Sequence, residues 1–126
     1  MTMDPVKPTI LIVDDEALVR MVGSDILEHG GYRVLEAANA SEALQCLECG
    51  TEVMVLFTDV HMPGTPDGLG LARLVHDRWP KVKILIASGR AAPEPGELPE
   101  EGLFLSKPYR ADDLLELVGD LTRSDG

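Results

Sequence analysis

Short apolar runs alternate along the chain with longer segments in which apolar residues recur at helical spacing. The runs are TILIV at 9–13, VMVLF at 53–57, VKILIA at 82–87 and LFL at 103–105. A short continuous apolar run is typical of a strand buried on both faces, and the intervening segments are typical of amphipathic helices. This alternation predicts an α/β domain with a parallel sheet, because parallel strands need a long crossover connection.

A further strand is predicted at residues 32–36, YRVLE, where polar and apolar residues alternate. Alternation favours an edge strand, whereas the continuous runs at 9–13 and 53–57 favour central strands. The simplest right-handed winding of five such strands has the order 2-1-3-4-5. We therefore predict a flavodoxin-like, doubly wound five-stranded parallel sheet, whose functional site lies between the carboxyl ends of strands 1 and 3.

The first predicted helix carries one apolar stripe, formed by Leu18, Val19, Val22 and Ile26. Residues at this spacing share one face of a helix, so the stripe is expected to face the core. Gly30 and the glycine after it are typical of a helix C-terminus.

The fourth helix of the pattern is expected to be short or irregular. Its segment, residues 91–101, contains Pro93, Pro95 and Pro99. A proline inside a helix removes a hydrogen bond and clashes with the preceding turn, at a cost of about 3 kcal/mol. The segment therefore predicts a short turn or an acidic loop, which would alter any partner-binding face on this side of the domain.

The charge balance excludes several classes of ligand. The chain of 126 residues has 11 Lys+Arg against 22 Asp+Glu, a formal net charge of −11, and its basic residues are scattered. Direct binding to nucleic acid needs clustered Lys and Arg, so it is not expected, and the same deficit argues against anionic membranes. No apolar run approaches the roughly 20 residues of a membrane span, and the N-terminal sequence does not resemble a signal peptide. We expect a cytoplasmic protein.

Acidic residues follow the two central predicted strands. Asp14 and Asp15 come directly after the first strand, and Asp59 follows the third. Lys107, after the fifth strand, and Ser88, after the fourth, add an ammonium and a hydroxyl to the same edge. Crowded carboxylates require a compensating charge, and Mg²⁺ is a suitable hard cation. Three carboxylates, Mg²⁺ and one lysine have a summed charge of zero, which predicts a site able to receive a phosphoryl group.

In this combination the chain, from residue 9 to 121, resembles the receiver domains of two-component response regulators, of the chemotaxis-regulator-like type. The resemblance rests on the acidic pair, on Asp59 within TDVHMPGTPDG, on Ser88 and on Lys107 followed by proline. It implies that Asp59 is the phosphoacceptor and that Lys107 contacts the phosphoryl group. It also implies that Asp14, Asp15 and Asp59 hold Mg²⁺ together with the backbone carbonyl of His61.

The resemblance further implies a set of switch residues. Ser88 would be the switch hydroxyl, although sliding the alignment by one residue would place Ala87 there instead. The loop at 63–68 looks one residue longer than the family's commonest form, which favours Ser88. Phe104 takes the aromatic switch position, and Pro108 is a candidate for a cis peptide bond.

Two further residues match family positions that overhang the phosphoryl group. His61 and Arg90 lie two residues after the acceptor and the switch serine. The resemblance implies that they tune the rate of dephosphorylation, and a plain surface role is an equally open interpretation.

The expected function is phosphorelay signalling. A histidine kinase or phosphotransfer protein would phosphorylate Asp59, and the modified receiver would change its binding to an unknown downstream protein, as a monomer or weak dimer. The expected organisation is a tail at 1–8, a receiver domain at 9–122 and a tail at 123–126, with no activity beyond self-catalysed phosphotransfer and autodephosphorylation. The first choice is a stand-alone regulator or relay shuttle.

Three alternatives stay open at this point. The sequence could be the receiver fragment of a hybrid histidine kinase or of a longer regulator. A Mg²⁺-dependent phosphatase of the aspartyl-phosphate type would use the same nucleophile, but it normally has a second aspartate where this chain has His61. A receiver-like binding module without phosphorylation would be favoured if the acidic residues were missing, and they are present.

Overall fold

The computed structural model describes residues 7–62, 67–89, 93–94, 96–99 and 101–123. Within these ranges the chain forms five strands and four helices, and no helix there is long and apolar enough to cross a membrane. The strands are β1 (Thr9–Val13), β2 (Arg33–Ala37), β3 (Val55–Asp59), β4 (Lys83–Ser88) and β5 (Leu103–Ser106). The helices are α1 (Ala17–His29), α2 (Ala40–Glu48), α3 (Gly68–Arg78) and α4 (Ala111–Arg123).

The strands form one parallel sheet in the order β2-β1-β3-β4-β5, which confirms the predicted topology. Each face of the sheet carries its own apolar core. One core contains buried residues of α2 and α3, and the other contains buried residues of α1 and α4. The central strands β1 and β3 contribute to both cores because their side chains alternate between the two faces.

β3 lies two residues further along the chain than its apolar run predicts. The run covers 53–57, whereas the strand covers Val55–Asp59. Thr58 and Asp59 stay in the ladder because they are paired with neighbouring strands: Thr58 is aligned with Val13 of β1, and Asp59 with Ala87 of β4. Asp59 is therefore the last residue of β3 and lies at the carboxyl end of this central strand.

The predicted inner stripe of α1 is confirmed for Ile26, which packs against the core on that side, and Val19 is half-buried, but the stripe is wrong for Leu18 and Val22. Leu18 is 77% exposed and Val22 is 57% exposed, whereas Gly23, Ser24 and Leu27 are buried. Gly23 lies so close to the sheet that a Cβ there would be 2.6 Å from Cδ1 of a β1 isoleucine. Small residues lie on the inner face at Gly23 and Ser24 because the helix is close to β1 there, and their weak apolar signal concealed that part of the face in the sequence.

The segment between β4 and β5 has no helix among its described residues, as its prolines predict. Residues 96 and 97 lie in a turn, and the Glu97 N–H donates to the Glu94 carbonyl at 2.9 Å. A second close contact precedes β5, where the Gly102 N–H donates to the Pro99 carbonyl at 2.9 Å. Pro95 lies outside the described residues.

Candidate functional site

Three aspartates meet at the carboxyl end of the two central strands. Asp14 and Asp15 directly follow β1, and Asp59 ends the adjacent β3. One carboxylate oxygen from each residue lies within 4.8 Å of those of the other two. Asp14 and Asp59 are buried, at 4% and 7% exposure, while Asp15 is exposed. The sequence-predicted acidic cluster is therefore assembled by the sheet order.

Lys107 bridges the two buried carboxylates. Its Nζ lies 2.9 Å from Asp14 Oδ2 and 3.4 Å from Asp59 Oδ1, and its side chain is 17% exposed. Lys107 directly follows β5, and its backbone N–H donates to the Ser88 carbonyl of β4 at 2.8 Å. The Lys107–Pro108 peptide bond is cis. Pairing with β4 therefore extends past the end of β5 and brings the lysine to the aspartates.

The three carboxylates outnumber the one lysine of the site, so the site favours binding of a cation. Burial raises the pKa of Asp59, and the negative charge of Asp14 adds to this rise, while the ammonium of Lys107 opposes it. Burial acts to lower the pKa of Lys107, but its hydrogen bond with Asp14 and the charges of Asp14 and Asp59 outweigh burial, so its pKa is raised. A charged lysine neutralises only one of three ionised carboxylates.

The donor set fits a hard divalent cation. All three side chains of the cluster offer carboxylate oxygens, which are the ligands preferred by Mg²⁺ and Ca²⁺. Mg²⁺ usually binds through one or two carboxylates and keeps waters or phosphate oxygens as its other ligands. Asp14 is already engaged by the Lys107 ammonium and by the Glu16 N–H at 2.9 Å. The exposed Asp15 is thus the freest of the three candidate ligands to a metal.

The backbone of Asp59 is packed tightly against the start of α3. A Cβ on Gly68 would lie 1.7 Å from the Asp59 carbonyl oxygen, so only glycine fits at this position. The Gly68 N–H donates to the Val60 carbonyl at 2.9 Å, and the Asp67 side chain caps the helix by accepting from Gly70 N–H. Gly68 was not among the sequence candidates, although an Asp-Gly pair at the end of the loop was an available signal.

The two candidate switch residues lie on neighbouring strands. Ser88 is 1% exposed at the end of β4, and Phe104 of β5 is aligned with Ile86. Ile86 and Phe104 both pack in the α2 and α3 core, and side chains two residues apart on a strand share a face, which places Ser88 on that side. The alternative residue, Ala87, packs instead in the α1 and α4 core.

Two further candidates from the sequence are His61 and Arg90, and the structure describes only His61. His61 is exposed, and a hydrogen bond from its backbone to the Asp59 carboxylate acts to lower the pKa of that carboxyl. Arg90 and residues 63–66 of the loop after β3 lie outside the described residues.

Tyr109 is a residue of the site that the sequence analysis missed. Its ring packs edge-to-face on Phe57, with 5.7 Å between centroids. Burial raises the pKa of its hydroxyl, and the charge of Lys107 opposes that rise. Tyr109 lines a small cavity together with Asp14, Asp59 and Lys107. An aromatic residue directly after Lys107-Pro108 was the available signal.

A wide groove adjoins the site on the α1 side, and we call it the α1 groove. It has a volume of about 560 Å³, and Lys107 and Tyr109 line both this groove and the small cavity beside Asp59. Its remaining lining residues are mostly apolar: Glu16, Leu18, Val19, Val22, Gly89 and Pro108. The groove therefore leads from the exposed apolar face of α1 to the lysine of the site.

The fold and the site together define a doubly wound α/β domain with an acidic, lysine-bridged site at its topological switch point. The family model for the response regulator receiver domain matches residues 10–119. The chain belongs to this family.

Relatives and solved structures support this membership. The sensor kinase CckA of Brucella abortus (strain 2308) is 38% identical over 117 residues, which cover 90% of this chain and 12% of that protein. A response regulator receiver protein from Sinorhizobium medicae WSM419 is similar in structure, with a TM-score of 0.88, 27% identity and coverage of 95% and 98% of the two chains. The receiver domain of the hybrid histidine kinase CckA has a TM-score of 0.76, 32% identity and coverage of 90% and 97%.

The chain spans only a small part of its curated relatives. It covers 12% of the Brucella sensor kinase and 23% of a putative NtrX-like response regulator from Rickettsia bellii, to which it is 31% identical over 113 residues. The shared part is the receiver domain, so the similarity bears on phosphorelay signalling by this domain.

Proposed function

We propose that Asp59 is the phosphoacceptor of this receiver and that Mg²⁺ is its cofactor. The observation that carries the proposal is the bridging of buried Asp14 and buried Asp59 by a single ammonium, that of Lys107, within the acidic cluster. A fixed cation beside a carboxylate nucleophile is suited to binding the negative charge of an incoming phosphoryl group.

The transfer step uses the chain's own groups as follows. An oxygen of Asp59 attacks phosphorus, a P–O bond forms, and the P–N bond of a phosphohistidine donor breaks. The bonding electrons leave with the imidazole, which takes up a proton. Lys107 stabilises charge on the phosphoryl oxygens, and Mg²⁺ held by Asp14, Asp15, Asp59 and the backbone carbonyl of His61 would neutralise the charge that remains.

The proposed response to phosphorylation runs through β4 and β5. Ser88 would bind a phosphoryl oxygen, and Phe104 would repack against the core beneath it. Their placement on one face of adjacent strands supports this pairing, and so does the hydrogen bond between the Lys107 N–H and the Ser88 carbonyl. Such contacts bias an existing equilibrium between two arrangements. His61 and Arg90 are proposed to tune the loss of the phosphoryl group.

We propose that the phosphohistidine donor, a histidine kinase or phosphotransfer protein, docks on the α1 groove. The groove shares Lys107 and Tyr109 with the small cavity beside Asp59, so a partner seated there would adjoin the acceptor site. Leu18, Met21 and Val22 offer an exposed apolar stripe, which suits the apolar face of a partner helix. This docking applies both to a separate receiver and to one that is part of a hybrid kinase.

Intact-protein mass spectrometry after incubation with acetyl phosphate tests the function. We expect one added phosphoryl group that requires Mg²⁺ and is absent from Asp59→Asn. The exposed Asp25→Asn variant is the matched control, because it removes the same charge far from the cluster. Equal modification of Asp59→Asn would contradict the proposal, and steady turnover of a phosphomonoester would favour the phosphatase alternative.

A further inference from the structure

We propose that Arg20 is a positioning residue for the candidate metal site and that it acts through the peptide between Asp14 and Asp15. The Arg20 guanidinium is bound at two points. Its Nη1 donates to the backbone carbonyl of Asp14 at 2.6 Å, and its Nε donates to Glu36 Oε1 at 2.9 Å. The side chain is 18% exposed, so this cation is largely shielded from solvent. The inference deepens the proposed function and rests on it.

The carbonyl that Arg20 binds belongs to the peptide joining Asp14 to Asp15. The orientation of this planar peptide sets the direction in which the Asp15 side chain leaves the backbone. Asp14 has supports of its own, because its carboxylate binds Lys107 and the Glu16 N–H. Over the described ranges, no hydrogen bond or ion pair holds the carboxylate of Asp15. Asp15 therefore has fewer contacts than Asp14, and Arg20 fixes it by binding the peptide that precedes it.

Glu36 holds the guanidinium in place from the edge strand. It lies on β2 and is aligned with Ile12 of β1, one strand away from the acidic cluster. A guanidinium is planar and carries several donors in a fixed geometry, so it can bind a carbonyl and a carboxylate at once. A lysine has a single ammonium on a flexible stem and cannot reproduce this two-point arrangement.

The direction in which Mg²⁺ affinity changes when Arg20 is removed distinguishes a positioning role from a purely electrostatic one. Arg20 is a cation near the site, so charge alone makes it repel Mg²⁺, and its removal would strengthen binding. If Arg20 positions Asp15, its removal weakens binding instead. Loss of such an outer contact typically costs about 10- to 100-fold in metal affinity.

Calorimetric titration with Mg²⁺ tests the inference on the full chain. We expect Arg20→Gln to weaken binding by about 10- to 100-fold. The matched control is Arg33→Gln, which removes an exposed arginine at the opposite end of the sheet. This control should change the affinity by less than about twofold, because distant charges are screened. Unchanged or tighter binding by Arg20→Gln would overturn the proposal.

A metal-free measurement separates this inference from the proposed function. In NMR spectra without metal, Arg20→Gln should shift the carbonyl carbon of Asp14 and the amide of Asp15, and Arg33→Gln should not. Unmoved signals would refute the role of Arg20 even if Mg²⁺ binds. A wild-type chain that binds no Mg²⁺ would refute the proposed cofactor, and with it a role of Arg20 in metal binding, even if the metal-free signals of Asp14 and Asp15 move. If Arg20→Gln does not fold, Arg20→Lys replaces it and should show the same shifts.

Discussion

A single ammonium bridges two buried carboxylates at the carboxyl end of the central strands. Lys107 lies within 3.4 Å of Asp59 and 2.9 Å of Asp14, and Asp15 adds a third carboxylate at the exposed side. Desolvation makes the ionised form of Asp59 costly, and one lysine does not balance three carboxylates. These residues thus carry an excess of negative charge, which a bound dication would neutralise before a negatively charged phosphoryl group approaches.

Replacement of the acceptor is expected to stabilise the metal-free protein at neutral pH. The pKa of Asp59 is raised in the folded protein, chiefly by burial, so its ionised form destabilises the fold above that pKa. Asp59→Asn removes this cost. Since the wild-type carboxyl becomes protonated as the pH falls through its raised pKa, the difference should shrink on acidification.

Urea unfolding in the presence of a chelator, over a series of pH values, measures this difference. The exposed Asp25→Asn variant controls for the lower net charge. The expectation is contradicted if Asp59→Asn is less stable than wild type at neutral pH. It is also contradicted if the difference in unfolding free energy does not depend on pH.

Removal of the bridging lysine is expected to have the opposite effect. Lys107→Met leaves two buried carboxylates without their partner, and breaking a buried ion pair on one side costs about 3 kcal/mol. Chemical denaturation without metal measures the loss, with the exposed Lys81→Met as control. A loss no larger than that of Lys81→Met would show that the ion pair contributes little to the fold.

The charged residues of the site could be predicted from the sequence, but the residues that contact and position them could not. Asp14, Asp59 and Lys107 are visible in the sequence because they directly follow or end apolar strands, and parallel strands bring such positions together. Nothing in the pattern singles out Arg20, and the position of Tyr109 after Lys107-Pro108 marks a residue without its role, because both roles depend on which backbone group or ring the side chain meets. Those contacts exist only after α1 and the segment after β5 pack on the sheet.

At the scale of elements, α1 shows where periodicity fails. The stripe predicted to face the core includes Leu18 and Val22, which are exposed, and the true inner face contains Gly23 and Leu27. Hydrophobic spacing alone cannot identify the part of an inner face that is made of small residues, here Gly23 and Ser24. The exposed stripe instead borders the α1 groove, where we propose that the donor binds.

The orientation of α1 can be tested by two matched leucine substitutions. Leu27 is fully buried, so Leu27→Ala should cost about 2 to 5 kcal/mol of unfolding free energy. Leu18 is 77% exposed, so Leu18→Ala should change it by less than about 0.5 kcal/mol. Denaturant unfolding of both variants measures the contrast, and comparable losses would mean that the outer face is buried in solution.

The start of α3 is expected to be intolerant of any side chain at Gly68. Gly68→Ala would place its Cβ 1.7 Å from the Asp59 carbonyl oxygen, so β3 or α3 must move, at a cost of about 1 to 3 kcal/mol. The neighbouring Asp67→Ala removes only a helix cap, at about 1 kcal/mol.

Phosphorylation by acetyl phosphate distinguishes the two α3 variants beyond their stabilities. Gly68→Ala should slow modification of Asp59 at temperatures where the protein stays folded, because it displaces the acceptor's backbone. Asp67→Ala should leave the rate close to that of wild type. Equal rates in the two variants would remove the positional role of Gly68.

For the molecule as a whole, Mg²⁺ binding is expected to increase the free energy of unfolding. Mg²⁺ that binds only the folded chain should stabilise it by about 2.7 kcal/mol at a concentration of 100 times Kd. Asp15→Asn removes an exposed ligand with little structural cost and should reduce this gain. Thermal unfolding across a Mg²⁺ series measures it, and an equal gain in Asp15→Asn would indicate a non-specific effect on a chain of net charge −11.

Locating the phosphoryl group shows whether Asp59 is the residue that accepts it. After Mg²⁺-dependent phosphorylation with acetyl phosphate, borohydride reduces an aspartyl phosphate to an alcohol, and peptide mass spectrometry identifies the altered residue. The account predicts reduction at Asp59 alone, and none in the Asp59→Asn variant. Reduction at Asp14 or Asp15, or a phosphoryl group retained on Ser88 or His61, would contradict it.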